Sequence, residues 1–157
     1  MPEANEVERY LHEHIPLSRA MGVAVLEATP QGVTLSAPLS PNVNHRGTVF
    51  GGSAAAVAIL SAWALLCLRL RGEPARCDVV IQKNAMTYGC PITGLFTATC
   101  TFDDPVSWSR FLAILRRRNR ARIRLTSVLH CQGAKVGSLD GHFVAMHASH
   151  RSKERHG

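Results

Sequence analysis

The stretch "NHRGTVFGGS", Asn44 to Ser53, holds the residues best placed to do chemistry. Gly51 and Gly52 stand immediately before a long apolar segment that reads as a helix. The first N–H groups of a helix have no partner within it, and the helix dipole adds partial positive charge there. Two glycines let another group approach that backbone closely. Such an end binds an anion or polarises a carbonyl oxygen, and Asn44 and Ser53 can add side-chain donors. The same residues also fit a plainer role, in which a glycine makes a tight turn, Ser53 caps the helix and Asn44 bonds its own loop. Spacing alone leaves both readings open.

These residues must be positioned by the elements around them. From Val49 to Leu68 no residue is charged, and Arg46 and Arg69 flank the run. Its length suits a membrane span. Its alanines at 54, 55, 56, 58, 62 and 64 suit close packing of a buried helix on a sheet at least as well. A helix apolar on nearly all sides must be buried on most of them. Before it, Glu6 to Met21 reads as an amphipathic helix interrupted by Pro16. "VAVLEATPQGVTLSAPL" gives two strands around a Pro30-Gln31-Gly32 turn. After it come four strand-like segments, "CDVVIQKNAMTY", "GLFTATCTF", "RARIRLTSVLHCQG" and "AKVGSLDGHFVAMHA", with Asp103-Asp104-Pro105 marking a turn between two of them. The order is helix, two strands, one long helix, four strands. This is an α+β class, with a curved antiparallel sheet wrapped around the helix. We expect one domain over 1–148 and a basic, disordered tail over 149–157.

With 157 residues, 46% hydrophobic and 18% charged, the chain can build a real core. A net charge of +7 and a pI near 9.7 point to an anionic partner. The five cysteines include no C-x-x-C pair, and the acidic N-terminus (Glu3, Glu6, Glu8, Glu13) carries no secretory signal. Free thiols and a cytoplasmic setting are the expectation. No spacing fits a structural zinc site. His142 and His147 point to opposite faces of a strand, so His142, His147 and His150 are not expected to bind metal. Asp140 and His142 share a face, and a structural hydrogen bond between them is expected. Arg120, Arg122 and Arg124 alternate with Ala121, Ile123 and Leu125, which puts the three arginines on one strand face. Such a row suits phosphates or an acidic surface. Nucleic-acid binding is disfavoured, because no aromatic residue interleaves with them to stack on bases.

The signature Asn44-x-x-Gly47-x-x-Phe50-Gly51-Gly52 resembles that of hotdog-fold acyl-CoA thioesterases, with phenylalanine where histidine is usual. From "HIPLSRAMGV" through "LSAPLSPNVNHRGTVFGGS", the Trp63 region, "MTYGCPI" and "GHFVAM", the chain is similar to thioesterases of the YiiD C-terminal-domain type. The resemblance covers nearly the whole length. It implies a hotdog fold, a homodimer or dimer of dimers whose sheets join, and hydrolysis of an acyl-CoA or acyl-carrier-protein thioester in fatty acid metabolism, without cofactor. It places the thioester carbonyl on the backbone N–H of Gly52 or Ser53, with Asn44 orienting that carbonyl or the attacking water. Gly47, Phe50, Gly51, Trp63 and Tyr88 would contact the substrate, and Arg120, Arg122 and Arg124 the coenzyme A nucleotide or the carrier protein. The acid found in many hotdog thioesterases about two turns into the helix falls here on Ile59. No carboxylate stands between Ser53 and Leu68, which leaves Ser61 and His45 as candidates to activate water. A non-catalytic acyl-thioester binder is the alternative that this gap motivates.

Overall fold

The computed structural model describes residues 2–148. The segment read as a disordered tail, 149–157, lies outside the described residues. The chain runs α1 (Pro2–His14), α2 (Pro16–Ala20), β1 (Ala24–Thr29), β2 (Gly32–Ala37), a 3-10 turn (Ser40–Asn42), α3 (Gly51–Leu70), β3 (Cys77–Tyr88), β4 (Phe96–Thr101), α4 (Pro105–Arg118), β5 (Arg120–Cys131) and β6 (Ala134–His147). The six strands form one antiparallel sheet in the order β1-β2-β4-β5-β6-β3.

Strand alternation builds the inner face of the sheet. Val33, Leu35, Phe96, Ala98, Leu125, Leu129, Leu139 and Phe143 all point inward and are buried. Onto this face packs α3, whose Val57, Ala58, Leu65 and Leu66 are at most 1% exposed. Its 20 residues are long and apolar enough to cross a membrane by length and composition, yet 61% of that stretch is buried inside the fold. Packing against the sheet therefore accounts for the apolar character. Each large apolar side chain so buried contributes about 1.5–3 kcal/mol.

Pro16 does break the N-terminal helix, but the first piece begins at Pro2 rather than Glu6. It covers β1, where Glu8 Oε2 accepts the Val25 N–H at 2.8 Å. The larger difference is α4, a 14-residue helix where the sequence pattern predicts only a turn between strands. Asp104 caps it by accepting the Ser107 N–H at 2.9 Å, and Pro105 takes the first turn. At the other end Asn119 adopts φ 60° and donates its N–H to Leu115 O at 2.8 Å. Phe111 and Leu115 bury the inner face of α4. Arg69, in the last turn of α3, lies 4.3 Å from the Trp108 ring centre and 5.1 Å from that of Phe102, and donates to Pro30 O at 2.6 Å. This cluster joins α4 to the far end of α3 and to the β1–β2 turn.

β3 is one edge of the sheet. Its inner-facing Cys77, Val79, Ile81 and Met86 are only half-buried, and Val80 and Tyr88 are exposed. Trp63 Nε1 donates to Val79 O at 2.9 Å and ties this edge to α3.

Candidate functional site

The first helical hydrogen bond of α3 runs from the Ala54 N–H to Phe50 O at 3.1 Å. Phe50 stands just ahead of the helix with extended backbone, and no side chain caps this end. Ser53 therefore does not act as the cap that a plain helix start would use. The N–H groups of Gly51, Gly52 and Ser53 precede the intrahelical ladder and point out of the helix end. Two aromatic rings lie against the glycines. A Cβ on Gly51 would meet the Tyr88 ring at 3.3 Å, and one on Gly52 would collide with the Phe50 ring. Tyr88 donates its hydroxyl to Gly51 O at 3.0 Å, so the edge strand grips the first turn of α3.

A tight loop delivers the chain to this point. Asn44 Oδ1 accepts the N–H groups of Arg46 at 2.8 Å and Thr48 at 3.2 Å. Its Nδ2 donates to Thr48 Oγ1 at 2.9 Å and lies 3.5 Å from Val49 O. Gly47 adopts φ +77°, a conformation that side-chain-bearing residues avoid. Val49 N–H then bonds Ile92 O at 2.9 Å, and Phe50 N–H bonds Asn42 O at 2.7 Å. In this chain Asn44 and Gly47 thus shape the loop. His45 is exposed in it.

A cavity of about 330 Å³ opens beside the start of α3, lined by Thr48, Gly51, Ala54, Met86, Tyr88 and Cys90 among others. A second cavity, about 260 Å³, lies at the other end of the helix between α1, α3 and the start of β3, against Tyr10, Leu11, Trp63, Cys67, Arg71 and Cys77. Sixteen residues separate Gly51 from Cys67, roughly 24 Å along a helix axis. The Tyr10 ring stacks on Trp63 at 6.2 Å and on His14 at 4.0 Å. Burial pushes the Cys67 thiol up to about 12, against the opposing charge of Arg71. Trp63, which the resemblance places against the substrate, lines this cavity at the far end of α3 from Gly51. Tyr10, Cys67 and Cys77 join it there; the four-residue spacing of Trp63 and Cys67 on one helix face is the only local signal of this wall in the sequence.

Ser61 is fully buried. Its hydroxyl lies 2.8 Å from Ala58 O and 2.8 Å from Ser127 Oγ, and Ser127 Oγ lies 2.9 Å from the same carbonyl. Ile59 is half-buried against the core. The structure therefore brings Gly51, Gly52, Ser53, Phe50 and Tyr88 together and keeps Ser61 inside the fold.

Arg120, Arg122 and Arg124 do share one exposed strand face, but it is the face turned away from α3. The Asp140–His142 pairing does not form. Asp140 instead accepts from Thr126 Oγ1 at 2.8 Å and faces Arg124 Nη2 at 3.1 Å, both on the neighbouring strand, because cross-strand partners approach more closely than residues two apart on one strand. The Thr126 hydroxyl and then Arg124 hold its carboxyl below the usual range. His147 Nδ1 bonds Asn119 Oδ1 at 2.8 Å, and His150 lies outside the described residues. Among the described residues no three His, Cys, Asp or Glu side chains converge as a metal site.

One long helix, led by glycines and wrapped by a curved antiparallel sheet, defines the hotdog fold, and known structures agree. The chain is similar to a "putative thioesterase" from Shewanella oneidensis, with 28% identity over 92% of this chain and 98% of that one, at a TM-score of 0.81. A Pseudomonas aeruginosa protein described as a probable thioesterase shares the fold at 21% identity and TM-score 0.79, covering 92% and 96% of the two chains. A thioesterase from Haemophilus influenzae shares it at 12% identity and TM-score 0.74, covering 95% and 94%. The profile of the YiiD_C family, described as "Putative thioesterase (yiiD_Cterm)", matches residues 4–147, and the chain belongs to that family.

Proposed function

We propose that the protein hydrolyses an acyl thioester held at the start of α3. The observation that carries this reading is the end of α3. Three consecutive N–H groups, Gly51 to Ser53, have no partner in the helical ladder, and a cavity walled by the Tyr88 ring reaches this end of the helix at Gly51 and Ala54. An oxygen resting on the Gly52 or Ser53 N–H gains negative charge as water adds to the carbonyl. Fixed donors at that point favour the transition state over the ground state, and losing one such donor typically costs about 10² to 10³ in rate. The substrate is an acyl-CoA or acyl-carrier-protein thioester. Family membership and the fold shared with thioesterases support the class of reaction.

The unpaired edge strand β3 supports a homodimer in which two β3 edges run antiparallel. Such a pairing brings the Tyr88 end of one protomer beside the Cys77 end of its partner. The cavity against Trp63 and Tyr10 of the partner then receives the acyl chain, while Phe50 and Tyr88 flank the thioester. Asn44 acts by holding the loop that aims these groups. The water activator is not Ser61, whose hydroxyl bonds a helix carbonyl in the core. His45, exposed in the loop, remains available for general-base work.

A panel of acyl-CoA thioesters of increasing chain length, read by free-thiol release, tests the proposal. Turnover peaking at one chain length is expected, and background rates throughout would refute it. Ile59 in place of a carboxylate favours one other reading, a non-catalytic acyl-thioester binder. That reading expects thermal stabilisation by acyl-CoA with no thiol release.

A further inference from the structure

Among the described residues, a row of positive charge lies away from both cavities. Residues in register on β3, β6 and β5 share a sheet face. On the face turned away from α3 the rungs read Asp78–Met146–Arg120, Val80–Val144–Arg122 and Lys83–His142–Arg124. The next rung is Ala85–Asp140–Thr126. Arg117 and Arg118, in the last turn of α4, lead straight into the first rung. Among the described residues, Arg124 is paired with Asp140, while Arg117, Arg118, Arg120, Arg122 and Lys83 make no ion pair. Val80, 48% exposed, stands among them.

We infer that this arginine face docks an acidic protein, and that this protein is the acyl carrier that delivers the thioester. The inference rests on the thioesterase reading of the α3 site and chooses between its two thiol carriers. The shape of the face favours a protein. None of these arginines lines either cavity, so they do not converge on one small phosphate group. Side chains on one strand face repeat every ~6.6 Å, close to the ~5.4 Å at which an acidic helix presents successive carboxylates. Asp78 and Asp140 sit inside the patch, where they would repel a phosphate backbone but can pair with a partner of mixed charge. No Phe, Tyr or Trp ring lies on these rungs to stack on a base. Arginine and methionine around an exposed apolar residue is the composition of a protein interface. The net charge of +7 adds long-range attraction for an acidic partner.

The test uses an acidic acyl carrier protein in two arms. The first measures binding of the apo carrier, without its phosphopantetheine arm, by fluorescence anisotropy against salt. The second compares kcat/KM for one acyl group presented on the carrier and on coenzyme A. The variants are Arg120→Glu with Arg122→Glu, and separately Arg117→Glu with Arg118→Glu, so that the helix pair serves if the strand pair does not fold. The expected result is salt-sensitive apo-carrier binding that weakens tenfold or more in the variants. Turnover of acyl-carrier should fall in parallel, with acyl-CoA turnover within twofold of the parent. Absent or arginine-independent carrier binding would overturn the inference. So would an equal fall for acyl-CoA, which would assign the arginines to its phosphates, or tighter binding of duplex DNA or RNA than of carrier. Absence of thiol release from both thioesters would instead refute the hydrolase reading, and the binding arm alone would then decide the docking face.

Discussion

Asn44 offers a sharp separation of structural from chemical roles. Its side chain makes three hydrogen bonds of ordinary length, two accepted by Oδ1 and one donated by Nδ2 to Thr48 Oγ1. Asn44→Ala removes all three from a half-buried loop. At roughly 0.5–1.5 kcal/mol net per neutral bond, and with water replacing part of the loss, the cost is about 1–3 kcal/mol. For a domain of this size that lowers Tm by about 2–4 °C per kcal/mol, or roughly 2–12 °C in all. Asn44→Asp keeps the acceptor for both N–H bonds, and Thr48 can reverse its hydroxyl to donate to the carboxylate. If the loop is what Asn44 supplies, Asn44→Asp should keep Tm within about 2 °C of the parent, since little hydrogen bonding is lost, and should retain much of the thioesterase rate that Asn44→Ala loses. Calorimetry with thiol-release kinetics on the same preparations reads both. The loop argument fails if Asn44→Ala melts with the parent, or if the aspartate variant is as unstable as the alanine one. A stable but inactive Asn44→Asp would move Asn44 from loop support to direct contact with the substrate.

Three further outcomes follow from the same geometry. Ser61→Ala should leave kcat within about twofold, because the hydroxyl bonds Ala58 O in the core and Ser127 still satisfies that carbonyl; a hundredfold loss would return Ser61 to the mechanism. The Glu73 carboxyl accepts from Arg116 Nε at 3.0 Å and Nη2 at 2.7 Å, and the hydrogen bond to Arg116 holds its pKa below the usual value of 4.5. That stabilisation is therefore present above the ordinary carboxylate range and lost as pH falls through the depressed folded value, so the Tm deficit of Arg116→Gln at pH 7 should close below pH 4.5, and a deficit independent of pH would contradict the pairing. Burial raises the Cys67 thiol to about 12 and the Cys100 thiol to about 11, whereas Cys90 is exposed; at pH 8 a disulfide reagent should modify Cys90 first, Cys67 in its cavity wall more slowly, and the buried Cys100 only on unfolding, which peptide mass mapping would show.

Much of the fold is local, and to that extent the residue order determines it. The uncharged run to Leu68, its glycine-led start and the alternation of Arg120 to Leu125 each follow from neighbours one to four residues apart, so helix, strand and face could all be read. The signature around Asn44 and Gly52 is equally local, but spacing left a plain cap open, and it is the resemblance to the thioesterase motif that marks it as a candidate site. The caps of α4 were also present in sequence, as Asp104-Pro105 and Asn119. A turn signal and a helix cap use the same residues, so Asp104-Pro105 by itself is compatible with either. Other features belong to the tertiary structure alone. Tyr88 reaches Gly51 across 37 positions, and Ser127 meets Ser61 across 66. Asp140 chose Thr126 and Arg124 over His142, and Tyr10 met Trp63 to wall a cavity. Strand register and helix packing set these contacts. Sequence specifies which face a residue occupies, but the distance between faces is created only when the sheet closes around the helix.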